Sequence, residues 1–310
     1  FIGGALLGTL PDMDVMIDYG TAVANFTQHR GFSHSLFILV PLGVVLALAL
    51  HRWKPQLSLG RWLAFTLLVL VTHPLLDCLT TYGTQLFWPL GPPLGTNSIF
   101  IIDPLYTLPL LFAVLYGALK PPAARVQGVA LAVSSAYLLW ALGAQALVDR
   151  RAEDHLAARG LADAPRMVQP MPFTTFLWRV TVLGPDQRLE MVTGPFEGDR
   201  PLVVEPFPRD PALVEQLVAF EEGQRLFWFT DSFLDVNVRG GNLLATDIRL
   251  GVPGAHPFTF VIARQDADGQ WSATASTKEP RPAMRDDALR AFWSRLSGEA
   301  EVLCMATFEA

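Results

Sequence analysis

Charge is scarce in the first half of this chain, and cysteine is scarce throughout. Residues 1–150 carry 7 Lys or Arg and 6 Asp or Glu, whereas residues 151–310 carry 16 and 23. There is no basic stripe and the sequence pI is about 5.5, so nucleic-acid binding is not expected. Cys78 and Cys304 are the only cysteines, and they form no Cys-x-x-Cys motif. The chain begins at Phe1 rather than at methionine, so we expect a fragment or a processed form.

Long runs without charge occupy the first half instead. The runs are residues 33–50, 62–79, 104–119 and 126–148, each roughly 16–23 residues long. A helix of about this length crosses the roughly 30 Å hydrocarbon core of a bilayer. A buried bundle in a soluble protein is the alternative, but charges confined to the connections favour a membrane. We predict a polytopic α-helical membrane domain with about four visible spanning helices, whereas residues 1–10 are too short to span.

The second half has the pattern of a small soluble α+β domain. Residues 176–183 and 189–192 flank Gly184-Pro185-Asp186-Gln187, which is a hairpin signal. Further strands are predicted at 226–229, 234–238, 245–250 and 259–264, and helices at 211–222 and 285–296. These elements predict a mainly antiparallel sheet. The predicted organisation is a membrane domain (1–150), a linker (151–169) and a soluble domain (170–310).

The placement of Lys and Arg predicts an orientation. The connections 51–61 and 120–125 are basic, whereas 80–103 has no Lys or Arg. The positive-inside rule then places the first two in the cytoplasm and 80–103 outside. Arg30, Arg150 and Arg151 would lie on the outer side and count against this orientation. With it, the soluble domain also lies outside.

Ionisable residues gather at the ends of these apolar runs, although charge is costly in or near hydrocarbon. They are Asp12, Asp14, His29, His34, His73, Asp77 and Asp103. The layout brings all of them to one membrane face. Mixed imidazole and carboxylate is also a ligand set that suits a divalent metal with an open coordination position.

Spacing suggests how some of these residues are arranged. His73 and Asp77 are four residues apart and share one helical face, although a helix-end Asp that caps or pairs locally is the alternative. Asp12 and Asp14 share one side if their segment is extended, although a solvated loop would also contain such a pair.

The segment around Gly31 is expected to break the helical pattern. His29 and His34 are five residues apart, which is not one face of an ideal helix. Ser33 is predicted to be the N-cap of the first span, with His34 in its first turn. Arg30 could bind a phosphate, pair with an Asp of the cluster, or snorkel at the interface.

The seven ionisable residues are more ligands than one tetrahedral zinc ion needs. Some members therefore orient the imidazoles from outside, or the site is binuclear. A metal-activated water attacking a phosphoryl or acyl centre, with a spare carboxylate as general base, is the natural chemistry.

Five motifs together resemble the YdjM-like membrane-bound metal-dependent hydrolases. They are Gly8-Thr9-Leu10-Pro11-Asp12-Met13-Asp14, His29-Arg30-Gly31-Phe32-Ser33-His34-Ser35, His73-Pro74-Leu75-Leu76-Asp77, Thr80-Thr81-Tyr82-Gly83-Thr84-Gln85 and Phe100-Ile101-Ile102-Asp103-Pro104-Leu105-Tyr106. The resemblance covers about residues 1–150, and the domain after residue 160 resembles that of longer bacterial members. It implies a multi-pass bacterial inner (plasma) membrane protein, a divalent metal, and distant kinship with zinc-dependent phospholipase C. The ligands it implies are Asp12, Asp14, His29, His34, His73 and Asp77.

We therefore expect a membrane-bound hydrolase of a lipid or lipid-linked phosphoester, with one or two Zn²⁺ ions, or Mn²⁺, at the outer (periplasmic) face. His29 would be a ligand or acid/base, Arg30 a phosphate contact, and Asp103 an orienting or general-base group. The expected partners are the bilayer and this lipid substrate, and the sequence leaves the protein partner of the C-terminal domain unknown. A proton-coupled transporter that uses the same residues as a relay is one alternative. A non-catalytic metal-binding membrane protein is the other.

Overall fold

Helices form the first part of the chain, and a helical hairpin with two sheets forms the second. The computed structural model describes residues 2–198, 200, 202–282 and 286–308. The chain divides into two units, Phe1–Thr96 and Asn97–Ala310. In the first unit, the α-helices are α1 (Ile2–Gly8), α2 (Ala22–Gln28), α3 (Leu36–Trp53) and α4 (Leu59–Asp77). Two short 3₁₀ helices, Pro11–Met16 and Phe32–His34, connect them.

Helices α3 and α4 form a closely packed hairpin. A Cβ atom at Gly43 would lie 2.7 Å from Leu67 Cδ2, which is closer than side chains approach. The Thr66 hydroxyl on α4 donates to the Gly43 carbonyl at 2.8 Å. The absence of a side chain at Gly43 therefore lets the two apolar helices approach, and Thr66 gives the contact a polar link where hydrocarbon offers none.

Three helices are long and apolar enough to cross a membrane: α3, α4 and α6 (Ala124–Ala157). A fourth apolar helix, α5 (Pro104–Leu119), has 16 residues. At 1.5 Å per residue it is about 24 Å long, somewhat less than the hydrocarbon thickness. The predicted polytopic membrane domain is confirmed, with three helices that could span a membrane and a shorter fourth apolar helix among the described residues.

Helix α6 is longer than a span requires, and its last turns support a sheet. Its 34 residues make it about 51 Å long. Small or aliphatic side chains recur every four residues from Ala144 to Leu156, and they are fully buried against strand residues that include Trp178 and Val180. This face stabilises the second unit by removing apolar surface from water.

The second unit contains two four-stranded antiparallel sheets. The first, in the order β1-β2-β3-β4, consists of β1 (Arg166–Pro170), β2 (Trp178–Leu183), β3 (Gln187–Thr193) and β4 (Val204–Pro208). The second, in the order β5-β6-β7-β8, consists of β5 (Leu234–Arg239), β6 (Asn242–Asp247), β7 (Thr259–Gln265) and β8 (Trp271–Lys278). The helices α7 (Pro211–Val218), α8 (Glu221–Phe229) and α9 (Asp286–Leu296) accompany them. The predicted α+β class with mainly antiparallel sheet is confirmed.

One predicted strand was wrong. Residues 226–229 are the end of helix α8, and the predicted single helix 211–222 is two helices that meet at Phe220. A short apolar run fits a buried helix as well as a strand, so pattern alone could not decide. The chain turns tightly between α7 and α8. A Cβ atom at Gly223 would lie 2.0 Å from the Leu217 carbonyl oxygen, so only glycine fits there.

The domain boundaries stay a prediction. Helix α6 crosses residue 150 without a break, and β1 begins inside the predicted linker 151–169. The membrane domain (1–150) and the soluble domain (170–310) therefore remain predicted regions. One continuous helix, α6, runs from the first of them into the predicted linker.

Candidate metal centre

Four side chains of the first unit converge on one point. They are Asp12, His34, His73 and Asp77, whose ligand atoms all lie within 4.8 Å of one another. His34 Nε2 lies 3.3 Å from Asp12 Oδ1 and 3.2 Å from Asp77 Oδ2. His73 Nε2 lies 3.5 Å from Asp12 Oδ1 and 3.3 Å from Asp77 Oδ2. Two imidazole nitrogens and two carboxylate oxygens therefore alternate around a small gap.

The spacing and the chemistry of these four atoms fit a divalent metal. Each atom is buried and lacks a hydrogen-bond partner among the described residues, and a buried polar atom without a partner is costly. Ligands at the usual zinc distances occupy a tetrahedron with edges of about 3.3–3.4 Å. Four of the six separations in the cluster are close to this value, and the other two are within 4.8 Å. The cluster could therefore bind a metal ion, whose identity the donor set leaves open.

Helix geometry supplies half of the cluster. His73 and Asp77 are four residues apart in the last turns of α4, so their side chains share one face as predicted. Pro74 between them lies inside the helix and is buried. The other two members come from the short 3₁₀ helices, with Asp12 in the first and His34 at the end of the second.

Each of the two imidazoles is held through its other ring nitrogen. His73 Nδ1 donates to the Gly8 carbonyl at 2.7 Å, at the end of α1. His34 Nδ1 lies 2.9 Å from Ser33 Oγ, whose hydroxyl donates to Asp14 Oδ2 at 2.5 Å. A fixed Nδ1–H leaves Nε2 as the lone-pair atom, which is the arrangement that metal-binding histidines use.

Asp14 and His29 lie behind the cluster rather than in it. Asp14 Oδ1 is 2.7 Å from His29 Nδ1, and Asp14 Oδ2 accepts from Ser33 and from the Arg30 backbone N–H at 3.0 Å. Asp12 and Asp14 would share one side only in an extended segment, but Pro11–Met16 is a 3₁₀ helix. Residues two apart differ by about 240° around such a helix, so Asp12 and Asp14 point in different directions.

Arg30 is buried and bonded on both sides of its guanidinium. Arg30 Nη2 lies 3.1 Å from Asp77 Oδ1, and Nη1 donates to Thr80 Oγ1 at 3.1 Å. The guanidinium carbon is 5.3 Å from the centre of the Tyr82 ring, which places the cation over its face. The sequence left three roles open for Arg30: phosphate binding, pairing with an Asp of the cluster, or snorkelling. The structure shows the pairing with an Asp of the cluster.

Residues 1–148 match the model of the family described as YdjM inner membrane protein. Residues 1–148 therefore resemble the YdjM-like family over just under half of the chain. The inner membrane protein YbcI of Escherichia coli (strain K12) is 36% identical over 86 residues, which are 27% of this chain and 49% of YbcI. The uncharacterized protein YfhP of Bacillus subtilis (strain 168) is 30% identical over 106 residues, 34% of this chain and 32% of YfhP. The chain thus spans about half the length of the first relative and a third of the second, and no solved structure matches it significantly.

The YdjM-like family and the apolar helices are consistent with a bacterial inner membrane protein. The orientation in that membrane stays a prediction. The distant kinship with zinc-dependent phospholipase C also stays a prediction.

The carboxylates of the YdjM-like site are in the form that binds metal. His34 and His73 hold the pKa of Asp12 below its usual range. Burial alone would raise the pKa of Asp14, but His29 and Ser33 lower it more, so it also lies below its usual value. Both groups are thus ionised at neutral pH. The Asp12 side chain is 48% exposed, whereas that of His34 is fully buried, so the site opens on the Asp12 side.

Asp103 lies in the second unit and has structural partners there. Its carboxylate caps α5 by accepting from the Leu105 and Tyr106 backbone N–H groups at 2.9 and 3.2 Å. The Tyr137 hydroxyl donates to its other oxygen at 2.9 Å. Capping and the Tyr137 contact explain why an Asp is buried just before α5, and this explanation needs no metal.

Sequence reasoning missed the groups that support the YdjM-like site. Ser33 is not the cap of α3, because the cap is Ser35, whose hydroxyl accepts from the Phe37 backbone N–H at 3.3 Å. His34 therefore precedes the span instead of lying in its first turn. The motif around Thr80 was a usable signal, because Thr80 and Tyr82 both contact Arg30.

Proposed function

We propose that the YdjM-like domain is a metal-dependent hydrolase of a lipid or lipid-linked phosphoester. The observation that carries the proposal is the set of four buried atoms without partners on Asp12, His34, His73 and Asp77. With both imidazoles deprotonated, as metal ligands must be, the two carboxylates give the set a total charge of −2, which a divalent cation neutralises. Bound there, a divalent metal would polarise a phosphoryl oxygen and lower the pKa of a nearby water.

The residues around the four ligands suggest how the site treats its substrate. His29 is the candidate acid/base, because Asp14 orients its Nδ1 and leaves Nε2 as the proton-transfer atom. Arg30, which we predicted to contact phosphate, acts in this proposal on Asp77 instead and keeps Oδ2 aimed at the metal. Asp103 remains a candidate for an orienting or general-base role, with its capping contacts as the alternative.

The position of the site supports a lipid substrate. His73 and Asp77 occupy the last turns of α4, one of the candidate spans, so the site lies at the level where an apolar helix ends. Lipid headgroups occupy that depth. The half-exposed Asp12 leaves a side from which a headgroup phosphate could approach. We propose the outer membrane face for this end, from the Lys and Arg distribution alone.

Metal content tests the first step of the proposal. Wild type, His34→Ala and His73→Ala are purified in detergent and analysed for zinc and manganese. His51→Ala is the matched control, because His51 lies at the far end of α3 and its Nδ1 bonds only the Leu57 carbonyl among the contacts described. We expect about one equivalent of metal in wild type and control and little in the other two. A folded wild type that binds no metal after reconstitution would refute the site.

Turnover tests the second step. A lipid phosphomonoester and a phospholipid are offered in mixed micelles, and phosphate or headgroup release is measured. His29→Gln should keep its metal and lose about 10²–10⁴-fold in rate, because acid/base catalysis contributes that much. Bound metal without turnover of either substrate would favour the non-catalytic metal-binding protein.

A further inference from the structure

Large apolar side chains are exposed at one end of the first sheet and in the adjoining segment, whose Phe100 packs on Phe173 with ring centroids 5.2 Å apart. They are Ile101, Ile102, Phe173, Phe176 and Phe196, each between 46% and 74% exposed. Phe173 and Phe176 lie between β1 and β2, and Phe196 lies between β3 and β4. The register pairs Pro170 with Trp178 and Trp178 with Thr193, so both connections leave the same end of the sheet. We call these five residues the apolar rim.

The apolar rim is attached to α6 through Trp140. The Trp140 ring stacks on Phe196 with centroids 5.4 Å apart and lies 5.9 Å from Phe176. Its indole N–H donates to Thr175 Oγ1 at 3.0 Å. Trp140 belongs to the charge-free part of α6, which ends only at Asp149. The sheet connections therefore lie beside a helix segment that has the composition of a membrane span.

Membrane thickness places this level inside the bilayer or at its edge. The start of α5 lies beside residues 134–137 of α6, because Ser134 donates to the Tyr106 carbonyl and Tyr137 to Asp103, both at 2.9 Å. From the start of α6 to Tyr137 is 14 residues, or about 21 Å. A hydrocarbon core of about 30 Å therefore extends about six residues further along α6, past Trp140.

We propose that the apolar rim inserts into the headgroup region of the bilayer that α5 and α6 cross, and thereby holds the first sheet against the membrane surface. Trp is enriched at that level, and interfacial helices bury Phe and Leu side chains about 5–10 Å into the boundary between headgroups and acyl chains. The occupant is the bilayer itself, because the rim is continuous with an apolar helix. The inference does not depend on the hydrolase proposal, since it uses none of the metal-site residues.

Site-directed spin labelling measures the depth of the rim. Nitroxides are attached to Phe176→Cys and Phe196→Cys in a Cys78→Ser, Cys304→Ser background, in vesicles of phosphatidylethanolamine and phosphatidylglycerol. Asp186→Cys is the matched control, because Asp186 lies in the turn at the opposite end of the same sheet. Collision rates with oxygen, which enters the bilayer, and with a water-soluble nickel chelate are compared.

We expect the ratio of oxygen to nickel collisions to be higher at 176 and 196 than at 186. Equal ratios at the three positions would overturn the proposal. Low collision rates with both reagents at 176 and 196 would also overturn it, because that result means a protein covers the rim. If a labelled variant fails to fold, unlabelled wild type is irradiated with a headgroup-photoactivatable phospholipid. Crosslinks in 171–177 or 194–198 then support the proposal, and crosslinks confined to the helices or to the turn 184–187 refute it.

Discussion

Removing the Ser33 hydroxyl tests whether His34 is a metal ligand held from behind. In Ser33→Ala, His34 Nδ1 loses the oxygen at 2.9 Å, and Asp14 loses a donor at 2.5 Å. The substitution changes none of the four candidate ligands, so any effect on metal affinity is indirect. Loss of a group that orients a ligand costs about 10–100-fold in metal affinity. This is about 1.4–2.7 kcal/mol, within the range for a hydrogen bond to a charged group.

Ser35→Ala is the matched control for this variant. Ser35 is also a buried serine, two residues away, but its hydroxyl donates to the Trp88 carbonyl at 2.9 Å and caps α3. Its loss should lower the unfolding temperature, because a cap contributes about 1 kcal/mol, and should leave metal affinity unchanged. The two serines therefore separate an effect on the metal from an effect on the fold.

Competition with a chromophoric chelator measures the affinities in detergent. We expect Ser33→Ala to bind zinc about 10–100-fold more weakly than wild type and Ser35→Ala to match wild type. Equal affinity in all three proteins would refute the orienting role of Ser33. An equal loss in both variants would refute it as well, because general destabilisation would then explain the effect.

Two further predictions concern a buried ionisable group in each unit. Arg30→Lys should weaken metal binding in the same competition assay but less than His34→Ala, because it loosens Asp77 without removing a ligand; unchanged affinity would contradict the pair. Burial, with Arg179 nearby, lowers the pKa of His256 to about 3. The unfolded state therefore takes up a proton at pH 5 that the folded state refuses, and stability should fall by about 2 kcal/mol between pH 8 and pH 5. His256→Asn, which can still donate to the Leu250 carbonyl, should lose less in thermal scans, and an equal loss would contradict this cause.

The part of the site that lies on a long helix could be predicted from the sequence. His73 and Asp77 share a face because 3.6 residues complete a turn, and the apolar run around them indicated the helix. The short elements could not be predicted in the same way. Whether Asp12 and Asp14 point together depends on a single turn of 3₁₀ helix, and such a turn leaves no periodicity to read.

Long-range contacts set the remaining limits. Ser33 supports His34 only because Asp14, 19 residues earlier, lies next to its hydroxyl. Asp103 has the residue type and the position of a ligand, but the cap of α5 and the Tyr137 hydroxyl use both of its oxygens. In the soluble part, the strand pairs with clear turns were predictable, whereas residues 226–229 were assigned to a strand because four apolar residues carry no period.

The hydrogen bonds at Nδ1 of His34 and His73 also bear on the alternative that the protein is a proton-coupled transporter. A proton relay needs a histidine that accepts a proton on one nitrogen and releases it from the other. His73 cannot do this in the observed arrangement, because its Nδ1–H faces the Gly8 carbonyl, which accepts a hydrogen bond but carries no proton onward. Among the described contacts, the route from His34 Nδ1 runs through Ser33 to Asp14 and His29, so a relay would use His34 without His73. A metal needs only the two Nε2 lone pairs beside two ionised carboxylates, which is the set that this arrangement leaves without partners.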